Sequence, residues 1–193
     1  KKDMLHTSKS ATFKDYVRIA RPDNWVKNVF MAPGILFAFA YFTTPFTTEL
    51  GLKIIIGFLS TCLIASANYV INEYLDIEFD KFHPVKKTRS LIQKTVKPQI
   101  IYIEYALLAA LGLGIAYTIS IKFFSMALLL LIMGIVYNVK PLRSKERVYL
   151  DVLTESINNP IRFTLGWFLV SPSLGVPDSR WDLNWINTFP PIS

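Results

Sequence analysis

Between Leu52 and Ile71 the chain runs for 20 residues with Lys53 as its only charge, and a stretch of that length and polarity has few places to go. It matches the roughly 30 Å of hydrocarbon that about 20 helical residues cross. Four other segments behave alike, so membrane spans are expected at about 29–46, 52–71, 100–119, 123–139 and 148–170. The run Ala127-Leu-Leu-Leu-Leu-Ile-Met133 shows no alternation of polar and apolar positions. That excludes a barrel strand, and in lipid only helices otherwise satisfy every backbone group within one segment. The expected fold is all-α: a polytopic transmembrane helix bundle forming a single membrane domain over 1–193, embedded in the lipid bilayer.

The formal net charge of +7 invites a nucleic-acid reading, but the distribution of charge argues against it. Seventeen of the 21 Lys and Arg residues fall before the first span, in 81–97 or in 140–147. These are alternate connections rather than one continuous basic stripe, so no nucleic-acid partner is expected. The positive-inside rule accounts for them instead and puts the N-terminus and both basic connections in the cytoplasm. The connections 43–51 and Ser120-Ile-Lys122 are short and nearly uncharged, as outer links are, and should make antiparallel hairpins of spans one with two and three with four.

Residues 1–20, with Phe13, Tyr16, Val17 and Ile19, suit a short interfacial helix. Pro22 favours a break, Trp25 suits the headgroup level, and Pro33 with Gly34 suggest a kink in the first span. Cys62 stands alone in the second span, so neither an intrachain disulfide nor a zinc ligand set is available. The N-terminus shows no signal-peptide pattern, and the first span is expected to direct its own insertion. Residues 171–193 read as an outer loop with interfacial Trp181 and Trp185, then the opening of a sixth span, as in a chain truncated after about five.

Chemistry gathers where the second span ends. Asn72, Asp76 and Asp80 are four residues apart, so on a helix they drift about 40° per step and stay on one face, roughly 6 Å apart along the axis. Carboxylates and an amide oxygen hold magnesium incompletely and leave positions for phosphate oxygens. Lys81, Lys86, Lys87 and Arg89 follow at once. The blander reading of the same residues is a charged loop flanking a membrane helix. The first half of the fifth span carries Asp151, Glu155, Ser156, Asn158, Asn159 and Arg162. Polar groups inside a membrane helix are costly and face a bundle interior or wet cavity; the alternative is an internal pairing of Glu155 or Asn159 with Arg162 that fixes packing. Two acidic groups facing one vestibule, beside Lys and Arg, would hold divalent cations and stabilise charge on a phosphate or diphosphate. A cavity between helices would accept an isoprenoid tail and keep water from a reactive carbon.

Asn72, Glu73, Asp76 and Asp80 resemble the Asn-Asp-x-x-Asp-x-x-x-Asp motif of the UbiA family of intramembrane prenyltransferases, with Glu73 standing for Asp. Tyr137 to Lys140, followed by Asp151-x-x-x-Glu155, is similar to the second motif, again with Glu for Asp. The resemblance runs from about Arg21 to Trp167. It implies a nine-helix bundle of which this chain holds little more than half. It implies magnesium bound by Asn72, Glu73, Asp76, Asp80, Asp151 and Glu155, with Asp76, Asp80, Asp151 and Glu155 catalytic. Substrate would then meet Arg21, Lys27, Asn28, Tyr69, Lys86, Arg89, Tyr137, Lys140, Asn159 and Arg162. Within the family, Arg21-Pro-x-x-Trp-Val-Lys-Asn28 and His83-Pro-x-Lys-x-x-Arg89 are similar to the branch that transfers phosphoribose from phosphoribosyl diphosphate to decaprenyl phosphate, though Ser90 departs from its usual Arg-Pro. The implied partners are a polyprenyl phosphate or diphosphate and either phosphoribosyl diphosphate or a lipid-soluble acceptor. Prenyl transfer to an aromatic acceptor is the competing reaction. An inactive remnant and a transporter are the readings outside enzymology, although transporters place ionisable groups near the bilayer midplane rather than at one end.

Overall fold

Local chemistry decides where the chain first becomes helical. The computed structural model describes residues 9–80 and 94–171. Helix α1, Phe13–Ile19, is opened by Thr12, whose backbone N–H and hydroxyl both donate to Asp15 Oδ2, at 2.8 and 2.7 Å. Tyr16 and Ile19 pack against Val70 and Ile101, while Phe13 and Val17 face outward, as an interfacial helix requires. A two-residue parallel pair, β1 (Lys9–Ser10) with β2 (Lys94–Thr95), ties the segment before α1 to the one before α4.

Arg21, in the left-handed region, separates α1 from a 3-10 segment, Pro22–Phe30, which feeds into α2, Met31–Phe42. The first span therefore differs from the expected 29–46. Its regular helix is only 12 residues long and stops at Thr43, whose φ of 48° cannot continue it, two residues before Pro45. Pro33 causes no break, because in the first turn its missing N–H has no partner to lose.

Helix α3, Thr48–Asp80, is continuous over 33 residues, about 50 Å at 1.5 Å per residue and longer than the roughly 30 Å of hydrocarbon. It overruns the expected 52–71 at both ends and carries Asn72, Asp76 and Asp80 on one helix. Then come α4, Pro98–Ile119; α5, Ile121–Asn138; a 3-10 turn, Ser144–Glu146; and α6, Val148–Val170. The single residue between α4 and α5, Ser120, is extended, and its Oγ accepts the N–H of Phe123 at 3.1 Å.

The stretches Phe13–Phe42, Thr48–Ile77, Pro98–Ile119 and Ile121–Asn138 are long and apolar enough to cross a membrane. Helix α6 has the expected bounds but is not among them, since its first half is too polar.

The principal helix pairs are α3 with α4 and α2 with α6. The expected hairpin of spans one and two is thus joined by a short link without being a packed pair. The reason lies in two glycines. A Cβ at Gly34 would run into the Phe163 carbonyl, and one at Gly166 into the Met31 carbonyl, so α2 and α6 meet backbone to backbone. Across α3 and α4, Ser60 Oγ donates to the Gly112 carbonyl at 2.7 Å. Ile64, Ala67, Phe123, Leu130, Leu165 and Leu169 belong to the apolar core these helices share.

Candidate active site

At the C-terminal end of α3 the polar residues are held by several cations. Asp76 Oδ1 accepts from Lys145 Nζ at 2.6 Å and from Arg143 Nη2 at 3.3 Å. The same ammonium donates to Asn72 Oδ1 and to Asn138 Oδ1, each at 3.0 Å, and lies 5.9 Å from the centre of the Tyr137 ring. Glu73 pairs with Arg21 at 3.7 Å. Burial lowers the Lys145 pKa, and its bond to Asp76 works in the opposite direction. The turn is tied to α6, where the Ser144 and Thr154 hydroxyls lie 2.8 Å apart, and to α3 through Arg143 and Asp76, while Arg143 and Glu146 pair within the turn itself.

Behind this rim lies a cavity of about 450 Å³. Its walls are Arg21, Lys27 and Phe30 before α2; Ala65, Asn68, Tyr69 and Asn72 from α3; Leu130, Gly134, Tyr137 and Asn138 from α5; and Glu155, Asn158, Asn159 and Arg162 from α6. Arg162 is buried, and its Nε donates to Asn28 Oδ1 at 2.9 Å and its Nη1 to the Asn158 carbonyl at 3.3 Å. Asn28 in turn donates to Cys62 Sγ at 3.1 Å. Among the described residues no carboxylate pairs with Arg162, so the expected alternative of a Glu155–Arg162 bridge is not what holds α6. A guanidinium out of water whose contacts are all neutral favours an anion beside it.

Of the residues expected in the site, Arg21, Lys27, Tyr69, Asn72, Tyr137, Glu155, Asn159 and Arg162 line the cavity. Asn28 is fully buried behind the wall and orients Arg162 rather than facing the cavity. Asp76 and Glu73 stand at the rim in ion pairs. Asp151 lies beside the Tyr137 hydroxyl, and its buried Oδ1 has no hydrogen-bond partner. Lys140 is exposed and does not line the cavity; the turn that follows carries Arg143 and Lys145 to Asp76 instead. The side chains of Asp80, His83, Lys86 and Arg89 lie outside the described residues. Among the described residues no three His, Cys, Asp or Glu side chains stand close enough to share a metal ion.

Sequence reasoning passed over Asn68, Asn138, Arg143 and Lys145. Asn68 was detectable, since it sits four residues before Asn72 on the same helix face. It donates to the Leu130 carbonyl at 2.9 Å and fills the space left by Gly134.

The model of the UbiA prenyltransferase family matches residues 25–191. A decaprenyl-phosphate phosphoribosyltransferase from Mycolicibacterium smegmatis is 26% identical over 167 residues, covering 86% of this chain and 50% of that protein. One from Corynebacterium glutamicum is 31% identical over 101 residues, covering 52% and 30%. Among solved structures, a UbiA homolog from Archaeoglobus fulgidus bound to GPP and Mg2+ superposes with a TM-score of 0.65 at 24% identity, over 80% of this chain and 53% of that one. The same kind of homolog bound to DMAPP and Mg2+ also gives 0.65, at 23% identity over 84% and 56%. The chain thus spans about half the length of the M. smegmatis relative and of these structures. With the helices, the α3 motif and the family match in agreement, the chain belongs to the UbiA prenyltransferase family.

Proposed function

We propose that the chain is the part of a membrane-embedded, magnesium-dependent transferase that receives a polyprenyl phosphate and transfers phosphoribose to it from phosphoribosyl diphosphate. The observation that carries this reading is Arg162, a buried guanidinium with no carboxylate partner among the described residues, opening with Arg21 and Lys27 onto one cavity. A phosphate group supplies the missing charge. The similarity to decaprenyl-phosphate phosphoribosyltransferases supports the choice of donor and acceptor.

The donor set at the end of α3 fits a magnesium ion. The oxygens of Asn72 and Asp76 already converge on one positive centre, Lys145 Nζ, and Asp80 is added to the set from the sequence alone. Bound there, magnesium would neutralise charge on the diphosphate that departs. Arg162, Arg21 and Lys27 bind phosphate oxygens; Phe30, Ala65 and Leu130 offer apolar wall to the prenyl chain. We assign Asp151 and Glu155 to a second magnesium or, with Asn159, to the sugar hydroxyls. Lys86 and Arg89 are assigned to the donor phosphates from the sequence alone. In the transfer, a phosphate oxygen of the lipid forms a bond to C1 of the ribose as the C1–O bond to diphosphate breaks. We further propose that the N-terminus and this site face the cytoplasm, on the distribution of Lys and Arg.

A second reading, prenyl transfer from a prenyl diphosphate to a lipid-soluble acceptor, is favoured by the GPP and DMAPP in the structural neighbours. The protein in lipid vesicles with magnesium, given labelled phosphoribosyl diphosphate plus decaprenyl phosphate or labelled GPP plus an aromatic acceptor, separates the two. Label is expected in lipid from the first donor. Incorporation from GPP alone overturns the phosphoribosyl reading, and incorporation from neither overturns transfer altogether. Asp76→Asn or chelation of magnesium should each reduce turnover by about 100-fold or more, the scale of removing one charge-stabilising group.

A further inference from the structure

Lys145 is a tethered cation standing where a free one would bind. Its ammonium is held by three oxygens from two helices, Asn72 Oδ1 and Asp76 Oδ1 on α3 and Asn138 Oδ1 on α5, at 2.6 to 3.0 Å. This three-oxygen cradle uses all three donors of the ammonium and leaves its side chain only 12% exposed. Two of its oxygens belong to residues assigned above to magnesium. Magnesium needs oxygens at about 2.0–2.1 Å and tolerates little distortion, so the ammonium and the metal cannot share the cradle.

The turn that carries Lys145 is anchored on both sides. Ser144 is bound to Thr154 of α6, and Arg143 is bound to Asp76 and Glu146. Exchange therefore falls to the flexible four-carbon stem of Lys145 rather than to the backbone. Asn72, Tyr137 and Asn138, which surround the ammonium, also line the cavity, so the open direction for the stem leads toward the proposed phosphate position.

We infer that Lys145 is the resident counter-cation of the metal site. Its ammonium holds the oxygens of Asn72, Asp76 and Asn138, and a divalent cation displaces it into the cavity, where it contacts a substrate phosphate. The device adds a second cation beside Arg143 to Asp76 before metal arrives, and it delivers a positive charge to the cavity only once metal is bound. This rests on the assignment of Asn72 and Asp76 to magnesium.

Two measurements on the whole chain in detergent micelles test it. In the first, Mn2+ binding is followed by electron paramagnetic resonance. Lys145→Met is expected to bind Mn2+ about tenfold more tightly than the unaltered protein, the scale of one charged hydrogen bond no longer competing. In the second, an amine-acylating reagent is applied to the unaltered protein and each lysine is read by mass spectrometry. Adding Mg2+ should raise modification of Lys145 severalfold while exposed Lys140 stays constant. This arm involves no substitution and stands whether or not the variant folds. If Mn2+ binds both proteins equally, or more weakly to the variant, or if Mg2+ leaves Lys145 equally protected, the counter-cation role is wrong and the metal assignment survives. If neither protein binds Mn2+, the metal assignment itself fails and takes this inference with it.

Discussion

Arg162 and Asn28 act as one unit. Asn28 Oδ1 receives the guanidinium, and the amide end of Asn28 is spent on Cys62, so neither residue has a free alternative. Arg162→Met should leave a buried carbonyl oxygen unpaired and cost about 1–3 kcal/mol of stability. Asn28→Ala should cost a similar amount, and the double variant less than the sum, by about 0.5–3 kcal/mol, because the second change removes a group already stranded. Thermal melts of the four proteins in detergent measure this, and strict additivity would show that the two residues are independent. Arg162 was legible in the sequence, because a charge in a membrane-length helix has to face something other than lipid. Lys145 was not. In 140–147 Lys140, Arg143, Lys145 and Arg147 look equivalent, a turn has no periodicity to rank them, and only the backbone path turns Arg143 and Lys145 inward and Lys140 out.

At the level of helices, close backbone contact decides who pairs with whom. Gly166→Ala places a methyl against the Met31 carbonyl, and the overpacking should cost about 1–3 kcal/mol and loosen α2 from α6. Gly114, with nothing near its missing side chain, is the control: Gly114→Ala should be neutral or stabilise by up to about 1 kcal/mol through helix propensity. Detergent melts that rank the two in the opposite order would refute the packing account. Most helix boundaries were readable to within a few residues, because length and hydropathy mark what lipid can hold. The α2–α6 pairing was hidden. A short connection shows that two helices are antiparallel neighbours in sequence, yet packing is decided by which surfaces fit, and one glycine inside an apolar run does not disclose which carbonyl it will meet. The end of α2 at Thr43 agrees with the connection expected from residue 43, where Thr43-Thr44-Pro45 breaks the apolar run, rather than with a first span carried on to 46.

For the molecule as a whole, the described basic turn 143–146 and the end of α3 meet at one end of the bundle, and the proposed orientation puts that end in the cytoplasm. In a Cys62→Ala background, cysteines replacing Lys14 or Lys140 should react with an impermeant thiol reagent only from the cytoplasmic side of oriented vesicles, and cysteines replacing Thr47 or Lys122 only from the other. The reverse pattern would invert the proposed topology. The family and its bundle were legible because the α3 motif spans a single helix; the full outline of the site was not, because it is assembled from four separate parts of the chain. One consequence follows from the uninterrupted length of α3. The rod that anchors the protein in lipid is the same rod that carries Asn72 and Asp76, with no joint between anchor and chemistry to take up slack. The depth of the rim is then set by acyl-chain length. Vesicles of longer lipids should draw the acids toward hydrocarbon and slow turnover, shorter ones should lift them clear, and the catalyst would double as a gauge of the thickness of its own solvent.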